Sequence, residues 1–383
     1  MKKSKYLIIV NVALLFLIST GVKAADLDLT AHSAVLMDFT TGQVLYEKNA
    51  DQKSPPASTT KILTALVALE QGDLKQQITT SANASRVEGS SIYLSEGETH
   101  TLEELLYGML LSSGNDAALA VAEGLAGSEA KFTEWMNQKA TALGAKSSSF
   151  TNCNGLPKAD HYTTAYDLAL ITRYALNNPV FETIVKTKSH NISWPGRDYD
   201  KVLYNHNKLL WRYQFVDGVK TGYTREAGGC LVSSATRYGH RLIAVVLNST
   251  TIYEDSEKLF EYGFNNYELI NLVSGQENLG LIKVIAGIKE TIPVFSKHPL
   301  TMLLPKGMAR KIKIDLELRK FIPAPVEPLQ EVGEVKVKIG GKIMETVPVV
   351  TAEYVPKKSL FQKIWDWVKG ILTPLNILHR EGR

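Results

Sequence analysis

A change of hydrophobic period at about Leu272 limits the possible folds more than any other feature of this chain. Upstream, apolar residues recur every three or four positions in several segments, with short strand-like runs between them. Downstream, residues 311–318 and 334–339 alternate polar and apolar, and Gly340-Gly341 leads into another apolar run ending at Val350. Period two with Gly and Pro punctuation predicts a small all-β unit in which each strand has one wet face. Helical period returns over residues 360–372. Four parts are therefore expected: a leader over residues 1–24, a mixed helix-and-strand domain over 25–271, the β unit over 272–356 and a tail over 357–383.

The leader has the layout of a secretory signal. Lys2, Lys3 and Lys5 precede an apolar stretch over residues 6–18, and Val22-Lys23-Ala24 fits a small-residue cleavage site, so cleavage is expected after Ala24 or Ala25. An uncleaved anchor is the alternative. The expected location is the outer face of a cytoplasmic membrane. The 383 residues carry a net charge of only +4, which gives no ground for nucleic acid as a partner. Cys153 and Cys230 are the only cysteines. Export would permit a disulfide, but Cys230 sits in the apolar run Gly229-Cys230-Leu231-Val232, so two separate thiols are expected. Two cysteines and eight histidines without a His-Glu-x-x-His pair offer no metal site, and no cofactor is expected.

On a helical projection of the tail, Leu360, Phe361, Ile364, Trp365, Trp367, Val368, Ile371 and Leu372 fill one arc, and Lys363, Asp366 and Lys369 lie opposite. Spanning a bilayer takes about 20 apolar residues. This tail is shorter and more charged, which suits a helix lying in a membrane interface. The alternative is a helix docked on the β unit.

Chemistry is concentrated in the second part. Residues 34–38 and 43–47 read as a hairpin turned at Thr40-Thr41-Gly42. After Pro55-Pro56 a helix is expected from about Ser58 to Glu70, stopped by Gly72. Ser58 then lies at or just inside a helix start, and Lys61 is on the same face with Cβ atoms about 5–6 Å apart. A serine hydroxyl becomes a nucleophile when a base takes its proton, and a neutral lysine is such a base. The helix start adds unpaired N–H donors beside a reacting carbonyl. Ser128-Glu129-Ala130-Lys131 shares the spacing, so Ser-x-x-Lys is weak evidence by itself.

Two further elements add to it. A capping box, Thr101-Leu102-Glu103-Glu104, opens a helix that Ser112-Ser113-Gly114-Asn115-Asp116 interrupts before a second apolar helix over residues 117–125. Ser113 and Asn115 thus occupy a tight interhelical connection. Ser81-x-Asn83 and Ser189-x-Asn191 share the spacing but not the setting. Lys220-Thr221-Gly222 occurs once, entering a strand-rich segment with strands over residues 228–235 and 241–248. Gly222 lets another extended chain approach that strand edge closely.

Ser-x-x-Lys, Ser-x-Asn and Lys-Thr-Gly in this order form the trio of penicillin-binding proteins and class A β-lactamases. With Gly89-Ser90-Ser91, residues 112–117 and residues 216–222 added, the chain resembles the D-alanyl-D-alanine carboxypeptidases, the low-molecular-mass penicillin-binding proteins, over nearly its whole mature length. The resemblance implies an α+β fold, with a β-lactamase/transpeptidase-like domain whose antiparallel sheet is flanked by helices. It also implies removal of the terminal D-alanine from peptidoglycan pentapeptides through an acyl-serine, and covalent inhibition by β-lactams. On this reading Ser58 attacks, Lys61 accepts its proton, Ser113 relays a proton to the leaving D-alanine and Asn115 holds the substrate amide and orients Lys61. Lys220 and Thr221 take the terminal carboxylate, and Lys220 helps keep Lys61 neutral. The N–H groups of Ser58 and Tyr223 form the oxyanion hole. Tyr223 stands where some relatives carry histidine, which puts substrate preference in question but not the chemistry.

Two rivals remain at this level. A β-lactamase needs a Glu-x-x-Leu-Asn-type loop between the second and third motifs, and none is present there; Glu268-Leu269-Ile270-Asn271 comes later with different spacing. A non-catalytic peptidoglycan-binding protein on the same fold would not release D-alanine from diacetyl-Lys-D-Ala-D-Ala.

Overall fold

A computed structural model describes residues 27–275 and 277–367. The expected leader and the tail beyond Trp367 lie outside the described residues.

The first domain is built on a five-stranded antiparallel sheet in the order Val44–Lys48, Ser33–Asp38, His240–Ser249, Gly228–Arg237, Val216–Thr224. The N-terminal hairpin thus closes against the last strands of the domain, and Val216–Thr224 is left at an edge. Period two explains the two cores. Val35, Met37, Ile243, Val245 and Leu247 face the large helical core, whereas Ala34, Leu36, Leu242, Ala244 and Val246 face the helix Ile252–Asn266. A strand buried on both faces reads as a continuous apolar run, as residues 242–247 do.

In the helical core, Lys61–Gln71 is buried from Lys61 through Ala68. Around it lie Leu102–Leu111, Asn115–Ala126, Glu129–Ala142 and Ala165–Ala175. The capping box forms as expected: Glu104 N donates to Thr101 Oγ1, and the Glu104 carboxylate accepts from Thr101 N at 2.9 Å. Ser128 caps its helix by accepting from Lys131 N, and Ser81 does the same with Ala84 N, so two of the three sequence decoys are helix starts, and the third, Ser189-x-Asn191, lies in a strand. The helix Pro179–Lys186, capped by Asn178, was not expected from the periodicity, because only two turns of pattern are present.

The β unit begins earlier than the expected 272. Helix Ile252–Asn266 passes directly into strand Tyr267–Val273, which pairs with Leu300–Pro305. Leu269 and Leu303 join the core beneath that helix, so the joint is itself packed. A six-stranded sheet follows in the order Ile312–Leu318, Glu331–Ile339, Lys342–Thr351, Thr291–Ser296, Asn278–Ile285, Phe321–Pro323. The two alternating segments and the apolar run read from the sequence are its first three strands, and their valine-rich faces form a separate core.

Candidate active site

Ser58 does not stand in the α-helix. Ala57–Thr60 forms a 3₁₀ turn, and the α-helix starts at Lys61. In a 3₁₀ turn residues i and i+3 eclipse, so Lys61 comes directly over Ser58 and its Nζ lies 2.9 Å from Ser58 Oγ. Ala57 holds a left-handed φ of +48°, and Gly155 makes room for it: a Cβ at Gly155 would lie 1.8 Å from Ala57 O.

Lys61 is fully buried. Besides Ser58, its Nζ donates to Asn115 Oδ1 at 2.7 Å and to Asn154 O at 2.6 Å. Burial, and after it the charge of Lys220, hold its pKa well below the ordinary lysine value. The partner set then fixes which way a neutral amine must point. Two of the three neighbours are oxygens without a proton and can only accept. The two remaining N–H bonds go to them, and the lone pair is left facing the one neighbour with a hydrogen to give, Ser58.

Asn115 is itself held. Its Nδ2 donates to Glu88 O at 2.6 Å, which turns Oδ1 toward Lys61, and its backbone N donates to Ser90 O at 2.7 Å. The Asp116 carboxylate accepts from Ser91 Oγ at 2.5 Å and from Ile92 N and Leu94 N at 3.0 Å, pinning the loop that supplies Glu88 and Ser90. Ser113 sits, buried and with a φ of +63°, in the connection between Leu102–Leu111 and Asn115–Ala126.

The edge strand Val216–Thr224 lies against the 3₁₀ turn. A Cβ at Gly222 would be 2.9 Å from Ser58 N, 3.1 Å from Thr59 N and 3.1 Å from Ala57 Cβ. Only a glycine lets the strand reach the helix start this closely. Lys220 is buried at 1% exposure, and burial pushes its pKa down to about 7. Its Nζ donates to Thr221 O at 3.0 Å. Tyr223, next along, is 74% exposed.

The sequence reading missed Asn154, Glu88 and Asp116. Asn154 and Glu88 contribute backbone carbonyls, which no side-chain motif records. The Asn152-Cys153-Asn154-Gly155 loop does carry a turn signal, and Asn152 Oδ1 accepts from Gly155 N at 2.7 Å to set it. Cys153 and Cys230 are two free, buried thiols, as expected. Among the described residues no group of three His, Cys, Asp or Glu is placed to hold a metal ion.

Residues 20–251 match the profile of the D-alanyl-D-alanine carboxypeptidases, and residues 267–357 that of the penicillin-binding protein 5 C-terminal domain. The chain is 36% identical to D-alanyl-D-alanine carboxypeptidase DacF of Bacillus subtilis over 364 residues, covering 91% of this chain and 93% of the relative. It is 33% identical to DacC of Escherichia coli over 378 residues, covering 93% of each. Penicillin binding protein 5 from Haemophilus influenzae superposes with a TM-score of 0.71 at 30% identity, covering 86% of this chain and 98% of that one. With both domains matched in order and relatives aligned over most of their length, the chain belongs to the D-alanyl-D-alanine carboxypeptidase family.

Proposed function

We propose that this chain is a serine D-alanyl-D-alanine carboxypeptidase acting on peptidoglycan pentapeptides, with Ser58, Lys61 and Ser113 as its catalytic groups. Ser58 Oγ attacks the carbonyl between the two terminal D-alanines, and its proton passes to the Lys61 lone pair. The N–H groups of Ser58 and Tyr223 receive the developing oxyanion. Lys220 and Thr221 hold the terminal carboxylate, and Gly222 keeps that strand close. The proton moves from Lys61 through Ser113 to the departing D-alanine nitrogen, the C–N bond breaks, and an acyl-serine remains. Water then adds to the acyl carbonyl as Lys61 takes its proton; the bond between the acyl carbon and Ser58 Oγ breaks, Lys61 returns the proton to Ser58 Oγ, and the shortened peptide leaves as its carboxylate. Asn115 orients both Lys61 and the substrate amide. A β-lactam, whose amide and carboxylate imitate the same peptide end, acylates Ser58 by the same route.

The observation that carries this reading is the partner set of Lys61, which leaves Ser58 as the only proton donor to a neutral amine. Ser58→Ala is expected to abolish both D-alanine release from diacetyl-Lys-D-Ala-D-Ala and labelling by fluorescent penicillin; labelling at the wild-type rate would overturn the assignment.

The proposed setting is the outer face of the cytoplasmic membrane, reached through the leader and held by the tail. Residues 360–367 are helical and expose Leu360, Phe361, Ile364 and Trp367. Among the described residues no helix is long and apolar enough to cross a membrane, which accords with a helix that lies in the interface.

A further inference from the structure

In the loop whose Glu88 and Ser90 carbonyls hold Asn115, Tyr93 is kept in a conformation that bulky side chains avoid. Its φ is +59°, and the residue is 78% exposed. The loop around it is over-determined: Asp116 accepts from Ile92 N and Leu94 N on either side at 3.0 Å, and Tyr93 N donates to Ser91 Oγ at 2.7 Å. Strain that neighbouring bonds maintain, with no core contact in return, points to a functional use of the ring. The hairpin of strands Ser189–Ile192 and Lys201–Tyr204 buttresses this loop from outside. Lys201 Nζ donates to Ile92 O and lies 5.7 Å from the Tyr93 ring centroid and 4.2 Å from that of Trp194.

The position of this loop says what the ring meets. On the reading above, on which this inference rests, the substrate's terminal carboxylate is at Lys220 and its scissile carbonyl at Ser58. The rest of the acyl chain runs past Asn115, and the wall beside Asn115 is the loop from Glu88 to Leu94, which Glu88 O and Ser90 O tie to it. We propose that the Tyr93 ring is a specificity-determining contact for the stem-peptide residues beyond the one that directly precedes D-Ala-D-Ala, stacking on their planar amide groups. Lys201 acts as a positioning residue that clamps the loop presenting it.

The test compares kcat/KM for the free pentapeptide L-Ala-γ-D-Glu-L-Lys-D-Ala-D-Ala with that for diacetyl-Lys-D-Ala-D-Ala. Tyr93→Gly removes the ring and also relieves the left-handed strain, so the variant is expected to fold; a thermal melt checks it. The long-to-short ratio is expected to fall about tenfold in Tyr93→Gly, the size of one lost aromatic contact, and to stay within about twofold in Tyr93→Phe. An unchanged ratio in Tyr93→Gly overturns the inference while leaving the active-site reading intact. A ratio that falls only when the pentapeptide carries its disaccharide overturns it in favour of a sugar-binding surface. Absence of D-alanine release from both peptides by the wild-type protein overturns the active-site reading and this inference with it.

Discussion

Burial acts on the two lysines of this site. Lys61 is fully buried beside another cation, and its pKa is held well below the ordinary lysine range. Lys220 is equally buried, and burial pushes its pKa down to about 7. The proposed chemistry needs the first neutral and the second charged, and a bound carboxylate pushes Lys220 back toward its charged form. The sign follows. The neutral fraction of Lys61 grows with pH, while the Lys220 cation is present below about 7 and lost above it. For a carboxylate-ended peptide kcat/KM is therefore expected to fall as pH rises through about 7, with kcat less affected because the bound substrate holds Lys220 protonated. Lys220→Arg keeps its charge throughout and is expected to remove that alkaline limb. Profiles from about pH 5.5 to about pH 9 check this; a wild-type limb that survives in Lys220→Arg belongs to another group.

Among the elements, the 3₁₀ turn and the edge strand matter most, because the nucleophile's N–H and the proposed carboxylate subsite lie on two pieces of chain far apart in sequence. Their approach depends on glycine at 222. A Cβ there meets backbone nitrogens at 2.9 and 3.1 Å, and backbone at a helix start does not swing aside. Gly222→Ala is expected to cut the rate of acylation by labelled penicillin by about 10²–10³, the usual effect of losing one oxyanion donor, with little change in the melting temperature. A normal acylation rate would show that the strand edge supplies no such donor. The decoys make the same point from the other side. Ser128 and Lys131 have the spacing of Ser58 and Lys61, yet Ser128 Oγ accepts from Lys131 N and the Lys131 side chain reaches Glu134 in solvent. An ordinary N-cap uses the serine oxygen to satisfy the helix; a 3₁₀ turn that a distant strand packs against leaves the Ser58 hydroxyl for the lysine.

The whole molecule joins a reaction domain to a β unit that the tail follows in the chain. The strand Tyr267–Val273 packs with Leu300–Pro305 against the first domain, and residues 360–367, after the second, carry exposed aromatic and aliphatic side chains. Deleting residues 360–383 is expected to leave kcat/KM on diacetyl-Lys-D-Ala-D-Ala unchanged and to abolish co-sedimentation with vesicles of anionic lipid. A truncated protein that still sediments would place the membrane contact elsewhere.

Elements that arise from nearest-neighbour physics are legible along the chain. The hairpin at Thr40-Thr41-Gly42, the capping box at Thr101, the doubly buried strand through residues 241–248 and the alternation of the β unit all form where the patterns put them. The sequence also carried the order of the three motifs and, through them, the family. The boundary at 272 was misplaced because Tyr267–Val273 lacks strict alternation; its partner strand and the helix before it decide its state. Packing in three dimensions set the turn type at Ser58, brought the Asn154 and Glu88 carbonyls to Lys61 and Asn115, and buried the two lysines. Backbone carbonyls have no side-chain signature, and the cost of burying a charge depends on everything that surrounds it, so neither can be read along a chain.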